Sequence, residues 1–461
     1  MASQKLTEYE RKRLENIKRN ADMVAALNIP SKAATLSAAK RQRTKTHRTS
    51  KVKKPTTQDP IITRQSLRPR GMASDSADES VESISMIDAY RGVEKEYNQV
   101  LVDTILSISK ETQIGFPVNE DFNGVKDVKN DDFSENGTLG SCKTEALESL
   151  DLKPETVACL APGRTTVVKF FPSNSIRMIA AGNKFGDISF WNVDCETEDG
   201  VYVYRTHSGP ISGILIPQHS LSKIYSCGHD GFIRLMDAEK EVFDLVHSSD
   251  DAIHYLSQQP NNPTSLYFAG AGGGLNVRDS RTGKSGRNWI LHEDRINTIS
   301  FSSHNPNIMA TGSADGTACI WDLRSTSSRR NKSLKTVSHG EAVNSAYFSP
   351  SGSSLATTSL DNNVGITSGI NFEDTSMIYH ENSMKFPNLS FRGIWGWDDS
   401  YIFIGNVKKG VDVVSPARRG TVVTLPIPKG SSIPYRFDTH PCEVGMLAAA
   451  NNSGQVSLWT P

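Results

Sequence analysis

Short turns recur along the last part of the chain with nearly constant spacing. Seven of them separate runs rich in β-branched and aromatic residues, and their reference positions lie 42 to 48 residues apart: Gly186, Gly231, Gly274, Gly316, Asn362, Gly410 and Gly454. Glycine is favoured at such a turn because it adopts positive φ at no steric cost. The period equals the length of one four-stranded repeat unit, so seven turns predict seven units.

One of these turns carries further marks of a known repeat. Thr311–Arg324 reads as a strand, the turn Ala314–Gly316 and a second strand that ends in Trp321-Asp322, with His292 upstream. This hairpin resembles one blade of a WD-repeat propeller. The predicted fold is therefore mainly β: a seven-bladed WD-repeat β-propeller, preceded by a largely disordered N-terminal extension that contains short helices.

Histidines also recur through the repeats, at His207, His247, His292, His339 and His380. In WD repeats the His, a Ser or Thr, a turn Asp and a strand Trp hydrogen-bond within one blade and satisfy buried polar groups. A structural role is therefore favoured for these histidines and for Asp230, Asp315, Asp361, Trp191, Trp321 and Trp459. No catalytic triad, phosphate-binding loop or metal-ligand set stands out, so we predict a protein that is not an enzyme and uses no cofactor or metal.

The formal net charge of zero conceals three segments of different charge. Residues 1–70 hold 18 Lys and Arg against 5 Asp and Glu, residues 71–156 hold 7 against 19, and the remainder holds 26 against 27. We therefore predict a basic N-terminal arm over 1–71, an acidic connector over 72–154 and a propeller over 155–461. The basic arm is the segment best suited to a polyanion.

The basic arm contains one predicted helix and two basic clusters. Thr7 and Glu10 form a capping box, and apolar residues recur at helical spacing until Pro30, which predicts a helix over 6–29. Its apolar stripe favours docking on a partner over a merely solvated helix. The two clusters are typical of nuclear import or nucleic-acid contact and predict a nuclear protein. They comprise Lys40, Arg41, Arg43, Lys51, Lys53 and Lys54.

The two ends of the predicted propeller are expected to meet in one sheet. The seventh blade lacks an outer strand, because the sequence stops two residues after Gln455–Trp459. A strand over 156–160 has the composition to supply it, which would close the ring and remove an exposed edge. Ahead of that strand, apolar spacing predicts an amphipathic helix over 84–110 that packs on the propeller or binds a partner.

Membrane insertion and disulfide bonding are not predicted. The sequence has no run of 18 apolar residues and no apolar signal-peptide core at its N-terminus, which predicts an intracellular protein. Its six cysteines are scattered without CxxC pairs, a pattern typical of free thiols in a reducing compartment.

Blade geometry assigns one group of cations to a single sector of the ring. On the face that carries the recurrent turns, blades six, seven and one hold Lys and Arg where blades four and five hold Asp and Glu. A basic sector at one mouth of the channel is predicted, suited to salt-sensitive phosphate contacts; the alternative is that these residues only aid solubility. The candidate DNA-binding residues are Arg164, Lys169, Lys184, Lys385, Arg392, Lys408, Lys409, Lys429 and Arg436.

Two neighbouring blades end alike on the opposite face. Val277–Arg281 and Ile320–Arg324 both close with Asp-x-Arg, 43 residues apart. An Asp can hold its Arg extended for bidentate contact with a partner. These two motifs favour a partner-binding site, with candidate residues Asp279, Arg281, Asp322 and Arg324.

Several segments together resemble one family of WD-repeat proteins. They are Leu6–Ile17, Arg64–Gly71, Ala180–Lys184, Phe232–Asp237, Ala346–Gly352, Phe403–Asn406 and Ser453-Gly454. These segments are similar to the damage-specific DNA-binding protein 2 / WD repeat-containing protein 76 family, in its WD repeat protein 76 branch. The N-terminal segment is the most specific of them, because generic WD proteins lack it.

The resemblance implies a nuclear, chromatin-associated protein that binds DNA, prefers ultraviolet-damaged duplex and acts in DNA metabolism. It also implies a substrate receptor of a cullin-4 ubiquitin ligase, whose Asp-x-Arg motifs contact the damaged-DNA-binding protein 1 adaptor. Val277-Arg278 stands where Trp is usual, so adaptor contact would rest mainly on Asp322 and Arg324. The alternative is a propeller that binds histone peptides or serves as a chromatin scaffold without DNA specificity. No membrane and no small-molecule substrate is implied.

Overall fold

The structure is a computed structural model that describes residue 18 and residues 83–92, 96–115, 147, 149–195, 200–325, 332–381, 390–428 and 430–461. The chain divides into two units, Met1–Ala77 and Asp78–Pro461. Among the helices described, none is long and apolar enough to cross a membrane. Several predictions lie outside the described residues: the helix over 6–29 apart from Lys18, the basic clusters at 40–43 and 51–54, Lys385 and Lys429.

Seven antiparallel sheets follow one another along the chain, which confirms the predicted seven-bladed propeller. The first strand of each blade is innermost; neighbouring inner strands contact each other around the ring, and the last contacts the first. Blade 1 comprises Thr165–Phe170, Met178–Asn183, Asp187–Asn192 and Val201–Arg205, and blade 2 comprises Ile211–Leu215, Lys223–Gly228, Phe232–Asp237 and Val242–Ser248. Blade 3 comprises Tyr255–Gln259, Asn262–Ala269, Gly274–Asp279 and Ser285–Ile290, and blade 4 comprises Ile296–Phe301, Ile308–Ser313, Thr317–Asp322 and Lys335–Ser338.

The remaining blades repeat the same order of strands. Their second strands are almost entirely buried, since they lie between the inner strand and the third strand of each sheet. Blade 5 comprises Val343–Phe348, Leu355–Ser359, Asn363–Ser368 and Asp374–Tyr379, and blade 6 comprises Ile394–Trp395, Ile402–Asn406, Gly410–Ser415 and Gly420–Pro426. Blade 7 comprises Pro434–Thr439, Leu447–Asn451, Gln455–Trp459 and Val157–Cys159.

The outer strand of blade 7 comes from the opposite end of the propeller sequence. Val157–Cys159 pairs antiparallel with Gln455–Trp459, and Ala158 lies opposite Val456. The Leu160 N–H donates to the Gly454 carbonyl oxygen (3.0 Å) and extends this pairing. Both ends of the propeller sequence thus contribute to one sheet.

The prediction of one helix over 84–110 is wrong. Ile84–Ser85 is a short strand that pairs with the outer strand of blade 2. Helix α1 (Met86–Ala89) follows, Tyr90 forms a bridge to Tyr204 in the outer strand of blade 1, and helix α2 spans Tyr97–Gly115. The outer strands offer backbone groups that need partners, and pairing with them overrides the local helical pattern.

Helix α2 packs on blades 1 and 2 of its own propeller. Its residues Leu101, Ile105 and Ile108 are fully buried in a cluster with apolar residues of both blades. Tyr204 in blade 1 donates its hydroxyl to Asn98 Oδ1 (3.0 Å). Burying each of the three apolar side chains contributes roughly 1.5–3 kcal/mol, so this contact is a stable part of the domain.

In two of the recurrent turns, the residue with positive φ lies one position before the glycine that the repeat spacing predicts. The left-handed position of the turn is Gly186 (φ 93°) in blade 1, but it is Gly273 (φ 73°) in blade 3 and Lys409 (φ 67°) in blade 6. Gly274 and Gly410 instead begin the next strand. A side chain at positive φ costs about 1–2 kcal/mol, so Lys409 is held there by the hairpin around it.

Proline in the closing strand should destabilise the whole ring. The Ala158→Pro variant loses the backbone N–H at the residue opposite Val456 and is expected to lower the free energy of unfolding by about 2 kcal/mol or more. Urea unfolding followed by circular dichroism measures this change. The Ala158→Thr variant keeps the N–H and should unfold near the unmodified protein. Equal stability of the two variants would contradict the role of this strand in closure.

Candidate nucleic-acid interface

The loops of this propeller lie on two faces. The upper face carries the turns between the second and third strands, such as 183–187 in blade 1, and the segments that enter each blade. The lower face carries the turns between first and second strands and those after the third strand. Lys184 and Lys408 therefore lie on the upper face, and Arg324 lies on the lower face.

Buried histidine networks hold the upper-face turns in place. In blade 4, His292 lies 2.9 Å from Asp315 through Nδ1 and 2.7 Å from Thr311 through Nε2, and Trp321 Nε1 donates to the same Thr311 hydroxyl (2.8 Å). Both ring nitrogens are thus occupied by neighbours within the blade, which fits a structural role. Three further His–Asp pairs are His207–Asp230, His339–Asp361 and His380–Asp412.

His247 does not belong to this set, contrary to the prediction from its spacing. It lies in the outer strand of blade 2, where its ring is 4.7 Å from that of Phe268 and its Nδ1 is 3.3 Å from Arg278 Nη1. Blade 3 has Gly272 where blade 4 has Asp315, so this turn offers no carboxylate to a histidine.

The upper-face turn of blade 1 places a cation beside an exposed aromatic ring. Lys184 is exposed, its Nζ lies 4.7 Å from the centroid of the Phe185 ring, and 43% of Phe185 is exposed. The Lys184 N–H donates to the Arg164 carbonyl oxygen (2.9 Å), so the two candidate residues are neighbours. An ammonium group can contact a phosphate while an adjacent ring stacks on a base.

The equivalent turn of blade 6 presents two adjacent lysines. Lys408 and Lys409 are both exposed, and the Lys408 N–H donates to Asn406 Oδ1 (2.7 Å) at the base of the turn. The hairpin therefore fixes the backbone and leaves both ammonium groups in solvent.

Three other candidate residues line the channel. Lys169 pairs with Asp438 (2.6 Å). Arg392 donates to the carbonyl oxygen of Asn297 in blade 4 (3.1 Å), and Arg436 donates to backbone oxygens of neighbouring segments. The structure thus brings these three together inside the ring, separate from Lys184, Lys408 and Lys409 on the upper face.

Further titratable groups surround the upper end of the channel. His229 and His254 stack edge to face, with ring centroids 5.1 Å apart. Burial, then His229 and Arg295, lower the pKa of His254 to about 4, and burial, then Arg295 and Arg164, lower the pKa of His229. Arg295 and Arg164 therefore act on the same pair. Neither histidine was predicted from the sequence, because both fall outside the repeat spacing.

The two Asp-x-Arg sequences on the lower face differ in geometry. Arg324 binds Asp322 through two hydrogen bonds, Nε to Oδ1 (3.0 Å) and Nη2 to Oδ2 (2.8 Å), and 65% of its side chain stays exposed. Asp279 instead accepts from the backbone N–H groups of Arg281 and Thr282 (2.9 and 2.8 Å). Asp322 thus holds its arginine, whereas Asp279 stabilises its own turn.

Acidification should destabilise the propeller through the histidine pair. Because the folded-state pKa of His254 is about 4, the unfolded chain, with a histidine pKa of about 6.5, binds more protons between these values. Stability is therefore lost as pH falls through this window. The decrease in melting temperature from pH 7 to pH 5 should be smaller in the His254→Gln variant than in a His304→Gln control, which changes an exposed histidine. Equal decreases in calorimetry would contradict this assignment.

Comparison with known proteins identifies the repeat and several relatives. Residues 283–322 and 331–367 match the family described as "WD domain, G-beta repeat". The chain is 25% identical over 416 residues to a Xenopus laevis protein named WD repeat-containing protein 76, covering 85% of this chain and 69% of that protein. Proteins named DNA damage-binding protein CMR1 are 27% identical in Scheffersomyces stipitis, over 70% of each chain, and 23% identical in Eremothecium gossypii, over 98% of each.

Each matched segment spans one repeat of the propeller. Residues 283–322 cover the outer strand of blade 3 and the first three strands of blade 4, and residues 331–367 cover the corresponding strands one blade further on. The relatives extend the match well beyond these two repeats and confirm the resemblance stated from the sequence. This chain is a WD-repeat propeller protein, homologous to the proteins named WD repeat-containing protein 76 and DNA damage-binding protein CMR1.

Proposed function

We propose that this protein binds duplex DNA through the upper face of its propeller. The observation that carries the proposal is that Lys184, Lys408 and Lys409 are exposed there and form no ion pair with any described residue. Their charges stay available to phosphate groups, whose counterions would be released on binding. Arg164, next to Lys184, extends this surface toward the channel.

The printed names of the relatives support a role connected with DNA damage. A protein named DNA damage-binding protein CMR1 aligns with 98% of this chain, including the N-terminal arm. We further propose that the chain acts in the nucleus and prefers ultraviolet-damaged duplex. The basic arm, with clusters around Lys40 and Lys51, supports nuclear import and would add affinity that does not depend on DNA sequence.

Reversing the charge of three upper-face lysines should weaken duplex binding and its salt dependence together. The full chain with Lys184→Glu, Lys408→Glu and Lys409→Glu should lose about tenfold or more in affinity. The slope of log K against log salt should shrink by roughly 2.7, because each phosphate contact contributes about 0.9. Fluorescence anisotropy with damaged and undamaged probes across a salt series measures both quantities and the damage preference.

Two control variants test whether weaker DNA binding results from lost charge on the upper face and not from lost stability or from charge on the lower face. Lys284→Glu changes an exposed lysine on the lower face and should leave duplex affinity unchanged. Lys409→Gly should weaken DNA binding while keeping or raising the melting temperature, because glycine tolerates the φ of 67° at this turn. Unchanged affinity of the triple variant would contradict the proposal. Binding of basic peptides with indifference to DNA would favour the histone-peptide alternative.

The Asp322–Arg324 pair supports a second proposal on the lower face. We propose that the chain contacts the damaged-DNA-binding protein 1 adaptor of a cullin-4 ubiquitin ligase there, as a substrate receptor. Because Asp322 already orients the guanidinium, binding costs less side-chain entropy. Two exposed apolar residues of the same face, Leu334 (54%) and Ile370 (94%), lie in blades 4 and 5 and could join such a contact.

Removing the arginine should abolish adaptor contact and leave DNA binding intact. The Arg324→Ala variant is expected to lose the adaptor in co-purification, whereas Arg281→Ala should retain it, because Asp279 does not hold that side chain. Duplex affinity should be the same in both variants, since they lie on the face opposite Lys184. Equal adaptor recovery from the two variants would rule out the blade 4 motif as the contact.

A further inference from the structure

A cavity of about 260 Å³ lies in the central channel, among the inner strands of blades 1, 3, 5, 6 and 7. Its wall includes the aromatic side chains of Tyr255, Tyr347 and Trp395. Pro350 and Thr439, which lie at or just beyond the lower ends of inner strands, also line it. Tyr255 begins the inner strand of blade 3 and Arg392 precedes that of blade 6, so the cavity also extends toward the upper end of the channel, but its lining does not include Lys184, Lys408 or Lys409.

Three cations and one carboxylate line this cavity: Lys169, Arg392, Arg436 and Asp438. Lys169 Nζ and Asp438 Oδ1 are 2.6 Å apart and neutralise each other. Burial opposes the charge of Lys169, but attraction and hydrogen bonding by Asp438 outweigh it and raise the pKa of this lysine. The two guanidinium groups have no further carboxylate among the lining residues, so the wall carries a formal charge of +2.

The two arginines use neutral hydrogen-bond acceptors. Arg436 Nε donates to the Thr166 carbonyl oxygen (2.9 Å), and Arg392 Nη2 donates to that of Asn297 (3.1 Å) while its guanidinium lies 5.6 Å from the Tyr255 ring centroid. The buried Arg392 Nε makes no hydrogen bond with the described residues. Burial, then the charge of Arg392, lowers the pKa of Arg436 to about 9, so the site stays cationic at pH 7.

Such a pair of half-buried cations favours an anion. Carbonyl oxygens carry only partial charge, so the hydrogen bonds of Arg392 and Arg436 do not neutralise their positive charge. A cationic ligand such as a methylated lysine would be repelled in spite of the aromatic side chains, since the wall is already positive. The ligand that relieves this charge is an oxyanion able to accept several hydrogen bonds.

We propose that this cavity binds a small tetrahedral oxyanion of the phosphate type, with Arg392 supplying uncompensated charge and Lys169, which it shares with Asp438, as a second hydrogen-bond donor. Guanidinium and ammonium groups form charge-assisted hydrogen bonds with phosphate oxygens. The volume lies below the range of about 300–1,000 Å³ for drug-sized ligands, so one phosphoryl group fits and a DNA duplex does not. The group is either free phosphate or the phosphoryl group of a phosphorylated amino acid.

Calorimetric titration of the full chain with inorganic phosphate and, separately, with O-phosphoserine tests the site at constant ionic strength. Saturable binding at one site is expected, and the tighter of the two ligands identifies the source of the phosphoryl group. Arg392→Gln should weaken binding by about tenfold or more, the value of a charge-assisted hydrogen bond. Asp438→Asn should strengthen it by about threefold or more, because it removes the competing carboxylate.

The opposite signs of these two effects separate ligand binding from loss of folding, because destabilised variants would both bind less. Lys284→Gln, an exposed lower-face lysine, serves as the matched control and should not change phosphate affinity. Absence of saturable binding, or equal affinity of Arg392→Gln and Lys284→Gln, would overturn the proposal. Competition between phosphate and a DNA duplex would also overturn it as a separate site. If the unmodified full chain binds phosphate but does not bind duplex DNA, only the proposed DNA-binding function is contradicted.

Discussion

The pairing of Val157–Cys159 with Gln455–Trp459 is the contact on which the ring depends. Each sheet of a propeller needs its own edge covered, so an unpaired third strand in blade 7 would leave one sheet with an open edge. Because blades 1 and 7 meet at this junction, the position of Lys184 relative to the Lys408 turn two blades away depends on it. Closure of the ring therefore also determines how the lysines of the upper face are arranged.

Much of this architecture could be predicted from local patterns, because each blade repeats the same hairpin. The His292–Asp315–Thr311 network follows directly from residue types at fixed spacing. The position of Lys409 could not be predicted, since glycine at 410 was the more natural occupant of a left-handed turn. The break in the helix over 84–110 was also unpredictable, because it results from pairing with a strand more than 150 residues away.

The cations of the propeller separate into two groups that sequence alone could not distinguish. Arg392 donates to the backbone of blade 4, two blades away, and Arg436 donates to the backbone of segments next to its own blade. Lys184 and Lys408 lie at hairpin tips, where the charge is solvated and costs little to place. Substituting the first group is expected to affect folding and the channel, whereas substituting the second changes only the surface potential.

Helix α2 covers part of the lower face. Near its start, Asn98 donates a hydrogen bond to Glu241 of blade 2. Closer to its end, Glu111 accepts one from Ser175 of blade 1. These two blades are thus covered from below, while blade 4 presents Arg324 without such a cover among the described residues. A macromolecule that binds the lower face through Arg324 is therefore kept away from blades 1 and 2 by helix α2.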